Sequence, residues 1–325
     1  MKLLDLTVIV CTYNRGFILG DCLGSLAVQT VPSDMFHVLV INNNSTDDSP
    51  EVAAGHAANL PGFRIVDEPR QGLACARNRG LAEARTEWVA FLDDDARAHP
   101  GWVAAILDTI GKNDFDCFGG PYHAWHRFGP APGWFDPAWE TYAPAQPYGP
   151  LGEAWIPGGN CALRKEYALA AGGFPEQMGM TGKKCAYGEE IFLFERMENM
   201  GRRLGFVPDM TIDHCVLPYK YGLCWRLKSG FAVNAAWARI PANSPSARKV
   251  RRVWMKLFFK QVLLSSPLRF WRSAKSGQPW KRVLFETFNP IFGKSGYALT
   301  LTARYIKKLF KDVTKAPWRR RKKKT

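Results

Sequence analysis

Several well-understood functional patterns are absent from this chain of 325 residues. It contains no Gly-x-Gly-x-x-Gly and no P-loop sequence, so we expect no nucleotide to be held in the dinucleotide or Walker manner. Its 8 cysteines form neither a Cys-x-x-Cys pair nor a Cys/His cluster with zinc-finger spacing. Because several of them lie within apolar runs, the cysteines indicate a reducing compartment rather than a disulfide framework.

Long uncharged apolar runs are missing as well. No stretch approaches the roughly 20 apolar residues that a membrane-spanning helix needs. The first apolar run is too short for a secretory signal and ends at polar residues 12–15. With 46% hydrophobic and 13% aromatic residues the composition is globular, and the length suits one large domain or two ordinary ones. We therefore expect a globular protein of the cytoplasm.

The net charge of +15 is divided unevenly along the chain. Residues 1–225 carry 18 Lys and Arg against 27 Asp and Glu, a net charge of −9. Residues 226–325 carry 26 Lys and Arg against only Glu286 and Asp312, a net charge of +24. The first part is mildly acidic, as a metal-using enzyme can be, whereas the last third suits an anionic partner.

Apolar runs with helical patterns between them predict an α/β fold. The runs at 6–11, 37–41, 63–66 and 89–92 are short, apolar and largely β-branched, which is typical of buried strands. Helical periodicity follows the first and third runs. Strands that alternate with helices form right-handed βαβ units, so we expect a mostly parallel sheet.

Three carboxylates, Asp93, Asp94 and Asp95, stand where the fourth strand should end. Like charges this close repel each other, so a fold keeps them only where water or a cation neutralises them. Ligands bind at the carboxyl ends of parallel strands, which favours a divalent metal held by Asp93 and Asp95 together with a diphosphate. The alternative interpretation is a solvated loop, or a helix start before Pro100, where Asp is favoured anyway.

Polar clusters also follow the first two strands, at 12–15 and 42–47, and all three clusters should converge on one crevice. Together with residues 72–78 and 91–95, they resemble in content and order the family 2 glycosyltransferases of the GT-A fold. The resemblance covers roughly residues 5–220. It implies a Rossmann-like, mostly parallel central sheet flanked by helices, and an inverting transfer that uses Mg²⁺ or Mn²⁺.

The resemblance also assigns residues to roles. It implies that Asp95 binds the metal, with Asp93 and His214 as further ligands; by itself a lone His is more often structural. It further implies that the donor is a nucleotide-sugar, with a UDP-sugar favoured. Its binding site is implied at ten positions: Thr12, Asn14, Arg15, Asn42, Asn43, Asp47, Gly72, Arg77, Asp93 and Asp94.

Two positions depart from the family pattern. Asn42 stands where the family usually has an Asp that recognises the base, and an amide oxygen accepts an N–H of uracil or thymine without charge assistance. The family's Gly-Glu-Asp segment is Gly188-Glu189-Glu190 here, so Glu190 inherits the role of general base and Glu189 stays a candidate. The alternative interpretation of both acids is ordinary complementarity to a helix dipole.

The acceptor side is expected around Gly159 and Asn160, which resemble the Gly-Gly-Asn segment of the family. Glycines there allow the backbone to approach a ligand closely. Residues 119–156 are rich in aromatic side chains with weak periodicity, which indicates a functional loop or small subdomain. Most of these aromatics are predicted to be core, with Trp155 on the acceptor side.

The basic last third predicts two amphipathic helices, at about 250–264 and 299–313, and a polybasic end at 319–324. Basic helices with Trp and Phe on the apolar side lie in bilayer interfaces. We therefore expect an anionic membrane surface as the partner and no specific nucleic acid, although docking of the helices on the catalytic domain is the alternative. The expected location is peripheral, on the cytoplasmic face of the membrane.

The predicted domain organisation is a catalytic domain at 1–222, with a nucleotide-sugar half at 1–118 and an acceptor half at 119–222. A basic helical extension at 223–316 and a tail at 317–325 follow. The predicted function is sugar transfer to a hydroxyl of a glycan or lipid-linked glycan in cell-surface polysaccharide synthesis. Two alternatives remain: a nucleic-acid-associated protein acting through the basic third, and a sugar-nucleotide nucleotidyltransferase, which would need a Gly-rich triphosphate loop.

Overall fold

The computed structural model of the protein describes residues 6–60, 62–182, 185–239 and 279–289. The chain divides into two compact units, Met1–Trp225 and Arg226–Thr325. The helices predicted at 250–264 and 299–313 and the polybasic end lie outside the described residues. None of the helices in the described part of the chain has both the length and the apolar character needed to cross a bilayer.

Strands and helices alternate through the first unit, as the apolar pattern predicts. The strands are β1 (Leu6–Thr12), β2 (His37–Asn42), β3 (Arg64–Asp67), β4 (Trp88–Asp93), β5 (Ala96–Ala98), β6 (Cys117–Gly119), β7 (Tyr122–Trp125), β8 (Gly149–Pro150), β9 (Asn160–Arg164), β10 (Leu204–Phe206) and β11 (Ile212–Cys215). The helices are α1 (Gly16–Ala27), α2 (Ser49–Gly55), α3 (Leu73–Glu83), α4 (Trp102–Lys112), α5 (Lys165–Ala170), α6 (Glu189–Asn199) and α7 (Leu223–Trp237).

The central sheet has eight strands in the order β3-β2-β1-β4-β9-β6-β10-β8. Strands β1 to β4 are mutually parallel, and β6 and β10 run in the same direction. Strands β9 and β8 run against their neighbours. The predicted α/β fold with a mostly parallel sheet is therefore confirmed.

Alternate side chains of each strand pack on opposite faces of this sheet, as the two-residue period of a strand requires. Val8 and Val10 join Leu23 of α1 and Trp102 of α4 on one face. Ile9 joins the second cluster, whose other members come from β2, β4, β6, β9, α3, α5, α6 and neighbouring loops. Each fully buried Val, Leu, Ile or Phe contributes about 1.5–3 kcal/mol. Two apolar layers thus fix the sheet edge that carries the polar residues.

A second sheet of three strands, β5-β11-β7, begins directly after the three aspartates. One alternative for Asp93 to Asp95 was that they begin a helix. The residues that follow them form strand β5 instead, and α4 begins only at Trp102. Strand β11 pairs with β5 and places His214 opposite Ala96. The backbone N–H of Cys215 donates to the carbonyl oxygen of Asp95 at 2.7 Å. This small sheet therefore brings His214, distant in sequence, beside the acidic tip.

In the second unit the described residues form part of α7 and a helical segment at 280–289. Val283 and Phe285 are buried, and the guanidinium carbon of Arg226 lies 5.4 Å from the centre of the Phe285 ring. Arg282 and Glu286 form an i, i+4 ion pair with a 2.9 Å contact. The described part of the basic third therefore contains packed helical structure.

Candidate active site

The carboxyl edge of the parallel strands carries a row of polar residues. Strand pairing sets Thr12 opposite Asn42, and Asn42 opposite Asp67. On the other side of β1, Cys11 pairs with Asp93 at the end of β4. The predicted convergence of the polar strand ends is thus present in the structure.

Asp95 is buried and surrounded by three basic side chains. Its carboxylate lies 3.0 Å from Arg15 Nη1, 3.3 Å from His214 Nε2 and 3.8 Å from Lys220 Nζ. Burial alone would raise the pKa of Asp95, but His214, Lys220 and Arg15 outweigh it and hold the pKa well below its usual range. Asp95 is therefore an anion at any physiological pH.

The same arrangement affects the neighbouring charges. Burial would lower the pKa of Lys220, yet the nearby Asp95 carboxylate outweighs burial and raises that pKa, so the ammonium keeps its charge. Burial raises the pKa of Asp94 to about 7, with a further contribution from Asp95 and opposition from Arg15. Of the two buried aspartates, Asp95 is thus the one that supplies the fixed negative charge.

Asp93, Asp95 and His214 fit a divalent cation. One ligand atom from each lies within 4.8 Å of the other two. Carboxylate oxygens suit Mg²⁺ and Mn²⁺, and an imidazole nitrogen is a ligand that transition-metal ions accept, which favours Mn²⁺. Nδ1 of His214 is buried and has no hydrogen-bond partner among the described residues, so this nitrogen is not committed to another group.

Arg77, on α3, connects this acidic tip with the two glutamates. The guanidinium is buried and contacts Asp93 Oδ1 at 3.3 Å and Glu189 Oε1 at 2.9 Å. It also lies 5.5 Å from the centre of the Phe174 ring, a cation–π distance. A buried guanidinium with two carboxylate partners has little freedom, so Arg77 fixes how far apart these acids lie.

The two glutamates at the start of α6 have different environments. Glu189 is buried and bonded to Arg77. Glu190 is half-buried, and its desolvation together with the charge of Glu189 raises its pKa to about 8, against the opposing effect of Arg77. A carboxylate with a raised pKa is a stronger base. Of the two, Glu190 has the properties expected of a general base, and Glu189 holds Arg77.

The Gly158-Gly159-Asn160 segment runs beneath these acids. Asn160 is fully buried: its amide nitrogen donates to the carbonyl oxygens of Pro121 and Met210, and its oxygen accepts from the Trp102 indole at 2.8 Å. The predicted acceptor-side residue Asn160 therefore joins β9 to the two neighbouring loops and α4. A Cβ at Gly159 would overlap the carboxylate of Asp93.

Gly159→Ala should lower the catalytic rate of this candidate site by about 100-fold without unfolding the protein. The added methyl group displaces the Asp93 carboxylate, and misplacement of a ligand-binding group by about 1 Å costs on this order. The measurement is the catalytic rate, with Gly111→Ala as the control, because a Cβ at Gly111 in α4 meets nothing within 4 Å. An unchanged rate in Gly159→Ala would exclude a role for the position of Asp93.

Several residues predicted to bind the nucleotide-sugar brace loops in this structure. Asn43 donates to the carbonyl oxygens of Glu68 and Arg70 and accepts from the N–H of Gly72, which has φ of 147° and precedes α3. Asp47 accepts from the backbone N–H of Gly16 at 3.0 Å. Asn14, with φ of 51°, accepts from the N–H of Thr46. Their contacts with a donor stay predictions, whereas their loop contacts are structural facts.

Sequence reasoning missed Lys220, which lies in a short 3₁₀ helix at Pro218–Tyr221. Its ammonium is 3.4 Å from His214 Nε2 and 3.8 Å from Asp95. A lysine six residues after a candidate ligand gives no signal by itself. The burial of this lysine, and hence its need for an acidic partner, becomes visible only in the fold.

Trp155 belongs to an aromatic cluster beside the same crevice. Its ring centre lies 4.6 Å from that of Tyr142 and 6.2 Å from that of Tyr122, which in turn lies 5.7 Å from the His214 ring. Trp155 is 40% exposed, whereas Trp134 is buried. The prediction that most aromatics of 119–156 are core is wrong, because only Trp134 is buried among the residues on which it was based, and the others are half-buried: Tyr122, Trp125, Trp139, Tyr142 and Tyr148. Trp155, expected on the acceptor side, is exposed.

The fold has solved counterparts. The structure superposes on the mannosyltransferase PcManGT from Pyrobaculum calidifontis, in complex with GDP-Man and Mn²⁺, with a TM-score of 0.61 and 20% identity over 91% of this chain and 86% of that one. It superposes on S. aureus TarS 1–349 in complex with UDP, with a TM-score of 0.55 and 15% identity over 93% and 92% of the chains. The architecture is therefore that of the GT-A glycosyltransferases.

Residues 7–168 match the model of glycosyl transferase family 2. The chain is 27% identical to the succinoglycan biosynthesis protein ExoM of Rhizobium meliloti over 257 residues, which are 77% of this chain and 79% of ExoM. It is 34% identical over 111 residues to the uncharacterized glycosyltransferase YibD of Escherichia coli, where the alignment spans 34% of this chain and 32% of YibD. Residues 7–168 of this chain therefore form a glycosyl transferase family 2 domain.

Proposed function

We propose that this protein is a divalent-cation-dependent, inverting glycosyltransferase of polysaccharide synthesis, with a nucleoside-diphosphate sugar as donor. The proposed acceptor is a hydroxyl of a glycan or lipid-linked glycan. One observation carries the proposal: Arg77 joins a cluster that fits a cation, through Asp93, to the pair Glu189-Glu190. Further support comes from PcManGT, solved with GDP-Man and Mn²⁺, from TarS, solved with UDP, and from the role of ExoM in succinoglycan biosynthesis.

In the proposed reaction Glu190 takes the proton of the acceptor hydroxyl. The acceptor oxygen forms a bond to the anomeric carbon of the donor, and the bond from that carbon to the diphosphate breaks. The nucleoside diphosphate leaves with the electron pair. Attack from the face opposite the diphosphate inverts the configuration, through a transition state of oxocarbenium character like that of glycoside hydrolysis.

Arg15 and Lys220 are the chain's own cations at the diphosphate end. Both form ion pairs with the carboxylate of Asp95, and both would also interact with the negatively charged oxygens of the leaving diphosphate. Asp93, Asp95 and His214 would hold the divalent cation, which when bound supplies Lewis-acid stabilisation of the leaving group.

The proposal is tested by incubating the protein with a panel of nucleotide-sugars and Mn²⁺ and measuring release of the nucleoside diphosphate. We expect one donor class to be consumed, and consumption to stop when the cation is chelated. A sugar-nucleotide nucleotidyltransferase would instead convert a nucleoside triphosphate and a sugar phosphate and release pyrophosphate. Neither that alternative nor a nucleic-acid-associated protein gains support from the family match or from these relatives.

The pH dependence of transfer should follow the raised pKa of Glu190. Only the deprotonated carboxylate accepts a proton, and a pKa of about 8 leaves most of the residue protonated at pH 7. The transfer rate should therefore rise about tenfold per pH unit below pH 8 and level off above it. The measurement is initial rate at saturating donor between pH 6 and 9.5, and a rate that is flat from pH 6 to 8 would contradict this role.

The basic third is proposed to hold the protein on the cytoplasmic face of an anionic membrane. Residues 226–325 carry a net charge of +24, and each Lys or Arg near an anionic leaflet contributes about 1 kcal/mol. Replacing the six basic residues of 319–324 by Gln in the full chain should weaken co-sedimentation with phosphatidylserine vesicles at least tenfold. Neutral vesicles are the control. Unchanged vesicle binding together with weakened RNA binding would favour the nucleic-acid alternative.

A further inference from the structure

The direction in which a bound nucleotide lies can be deduced from the sheet. The cation-fitting residues Asp93 and Asp95 follow β4. On one side of β4 stands β9, and Gly158 just before it would place a Cβ 3.0 Å from Glu190 Cβ. That side is thus occupied by Glu190, the proposed general base, and is where the proposed acceptor would bind. If the diphosphate lies at the cation, the nucleoside extends the other way, across β1 and β2 towards β3.

The residues met in that direction are Thr12, Asn42 and Asp67, which strand pairing sets side by side. Adjacent strands are about 4.8 Å apart, so Asp67 lies three strands, or about 14 Å, from the end of β4. Asp67 is exposed, whereas Thr12 and Asn42 are buried. The last accessible polar group along the row is therefore the carboxylate of Asp67.

Both polar atoms of the Asn42 side-chain amide have hydrogen-bond partners. Its oxygen accepts from the backbone N–H of Ser45 at 3.1 Å, and its nitrogen donates to Asp67 Oδ1 at 2.8 Å. The second carboxylate oxygen of Asp67 has no hydrogen-bond partner within the described ranges. Asn42 thus fixes the orientation of Asp67 and leaves it one charged acceptor.

We propose that Asp67, oriented by Asn42, recognises the base of the donor, and that this base is a pyrimidine with an imide N–H, uracil or thymine. The inference rests on the proposed function. Uracil and thymine present one ring N–H between two carbonyl groups, which matches the single available oxygen. Guanine presents two adjacent donors, which bind best when each carboxylate oxygen is free to face one of them, and Oδ1 of Asp67 already accepts from Asn42. Cytosine and adenine present an amino donor beside a bare ring nitrogen, and the lone pair of that nitrogen repels the carboxylate.

The test compares wild type, Asp67→Asn and Asp67→Ala with UDP-, dTDP-, GDP-, CDP- and ADP-glucose, and binding of each free nucleoside diphosphate by calorimetry. Wild type should prefer UDP or dTDP. Both variants should raise the KM for the preferred donor and the Kd of its nucleoside diphosphate by about 10- to 100-fold, the usual effect of losing a charged hydrogen bond. The value of kcat should change less than threefold, because the Glu190 side of the crevice is unaltered.

Asp108→Asn is the matched control, because Asp108 is an exposed carboxylate that forms an i, i+4 ion pair with Lys112 on α4. Its KM, kcat and Kd values should equal those of wild type. Wild-type constants in both Asp67 variants, or a wild-type preference for GDP, CDP or ADP, overturn the inference and leave the proposed function standing. Failure of wild type to bind or consume any donor overturns the proposed function as well.

Discussion

Glu190→Gln should lower the rate of glycosyl transfer by about 10²- to 10⁴-fold while donor binding stays within a factor of about three. The range is what a positioned general base contributes, and Gln keeps the shape of the side chain without accepting a proton. Glu190 lies on α6, on the β9 side of the acidic tip, so the substitution leaves the proposed diphosphate-binding residues unaltered. The measurement pairs single-turnover transfer with calorimetric binding of the nucleoside diphosphate.

Two variants serve as controls for that result. Glu190→Asp keeps a carboxylate one methylene shorter and should retain more activity than Glu190→Gln. Glu189→Gln removes the ion pair with Arg77 and should destabilise the fold, since Glu189 and Arg77 are both buried. If Glu190→Gln transfers sugar at the wild-type rate while Glu189→Gln, still folded, does not, the base has been assigned to the wrong glutamate.

Asp95→Asn should abolish cation-dependent transfer and also destabilise the protein. The neutral amide leaves Arg15, Lys220 and His214 crowded together without their common anion. Removing one partner of a buried ion pair costs about 3–5 kcal/mol. Transfer should fall at least about 100-fold, because the positive charge proposed to stabilise the leaving diphosphate is no longer held in position by Asp95.

The loss is measured as free energy of unfolding in urea and as rate of donor consumption at saturating Mn²⁺. Asp213→Asn is the control, since Asp213 pairs with Arg97 and His99 at a half-exposed position on β11. It should cost no more than about 1 kcal/mol and leave transfer intact. Wild-type stability in Asp95→Asn would mean that the three basic groups do not depend on this carboxylate.

The sheet edge could be predicted because its signals are local. The β-branched run of β1 and the apolar run of β4 each end in polar residues. Parallel strand pairing places such ends at one edge of the sheet, independently of the loop conformations. The fold class and the meeting of Thr12, Asn42 and Asp93 follow from that geometry alone. The resemblance to family 2 then supplied candidate roles that periodicity does not provide.

Residues whose partners are remote in sequence could not be predicted. Lys220 is buried against Asp95 only because the small sheet carries β11 back to the acidic tip. Asp67 lies one residue past the expected end of the third strand, and pairing with β2 rather than local pattern extends that strand to it. The short strands β8, β10 and β11 have two to four residues each, too few to show a period.

The central claim is that the acidic tip and a divalent cation bind the donor's diphosphate together. It is tested most directly by calorimetric titration of wild type and Asp95→Asn with UDP and with GDP, each with and without Mn²⁺. We expect wild type to bind one of these nucleotides at least tenfold more tightly with Mn²⁺, and Asp95→Asn to show no such gain. Equal affinity of wild type with and without the ion, or an equal gain in folded Asp95→Asn, would contradict the account.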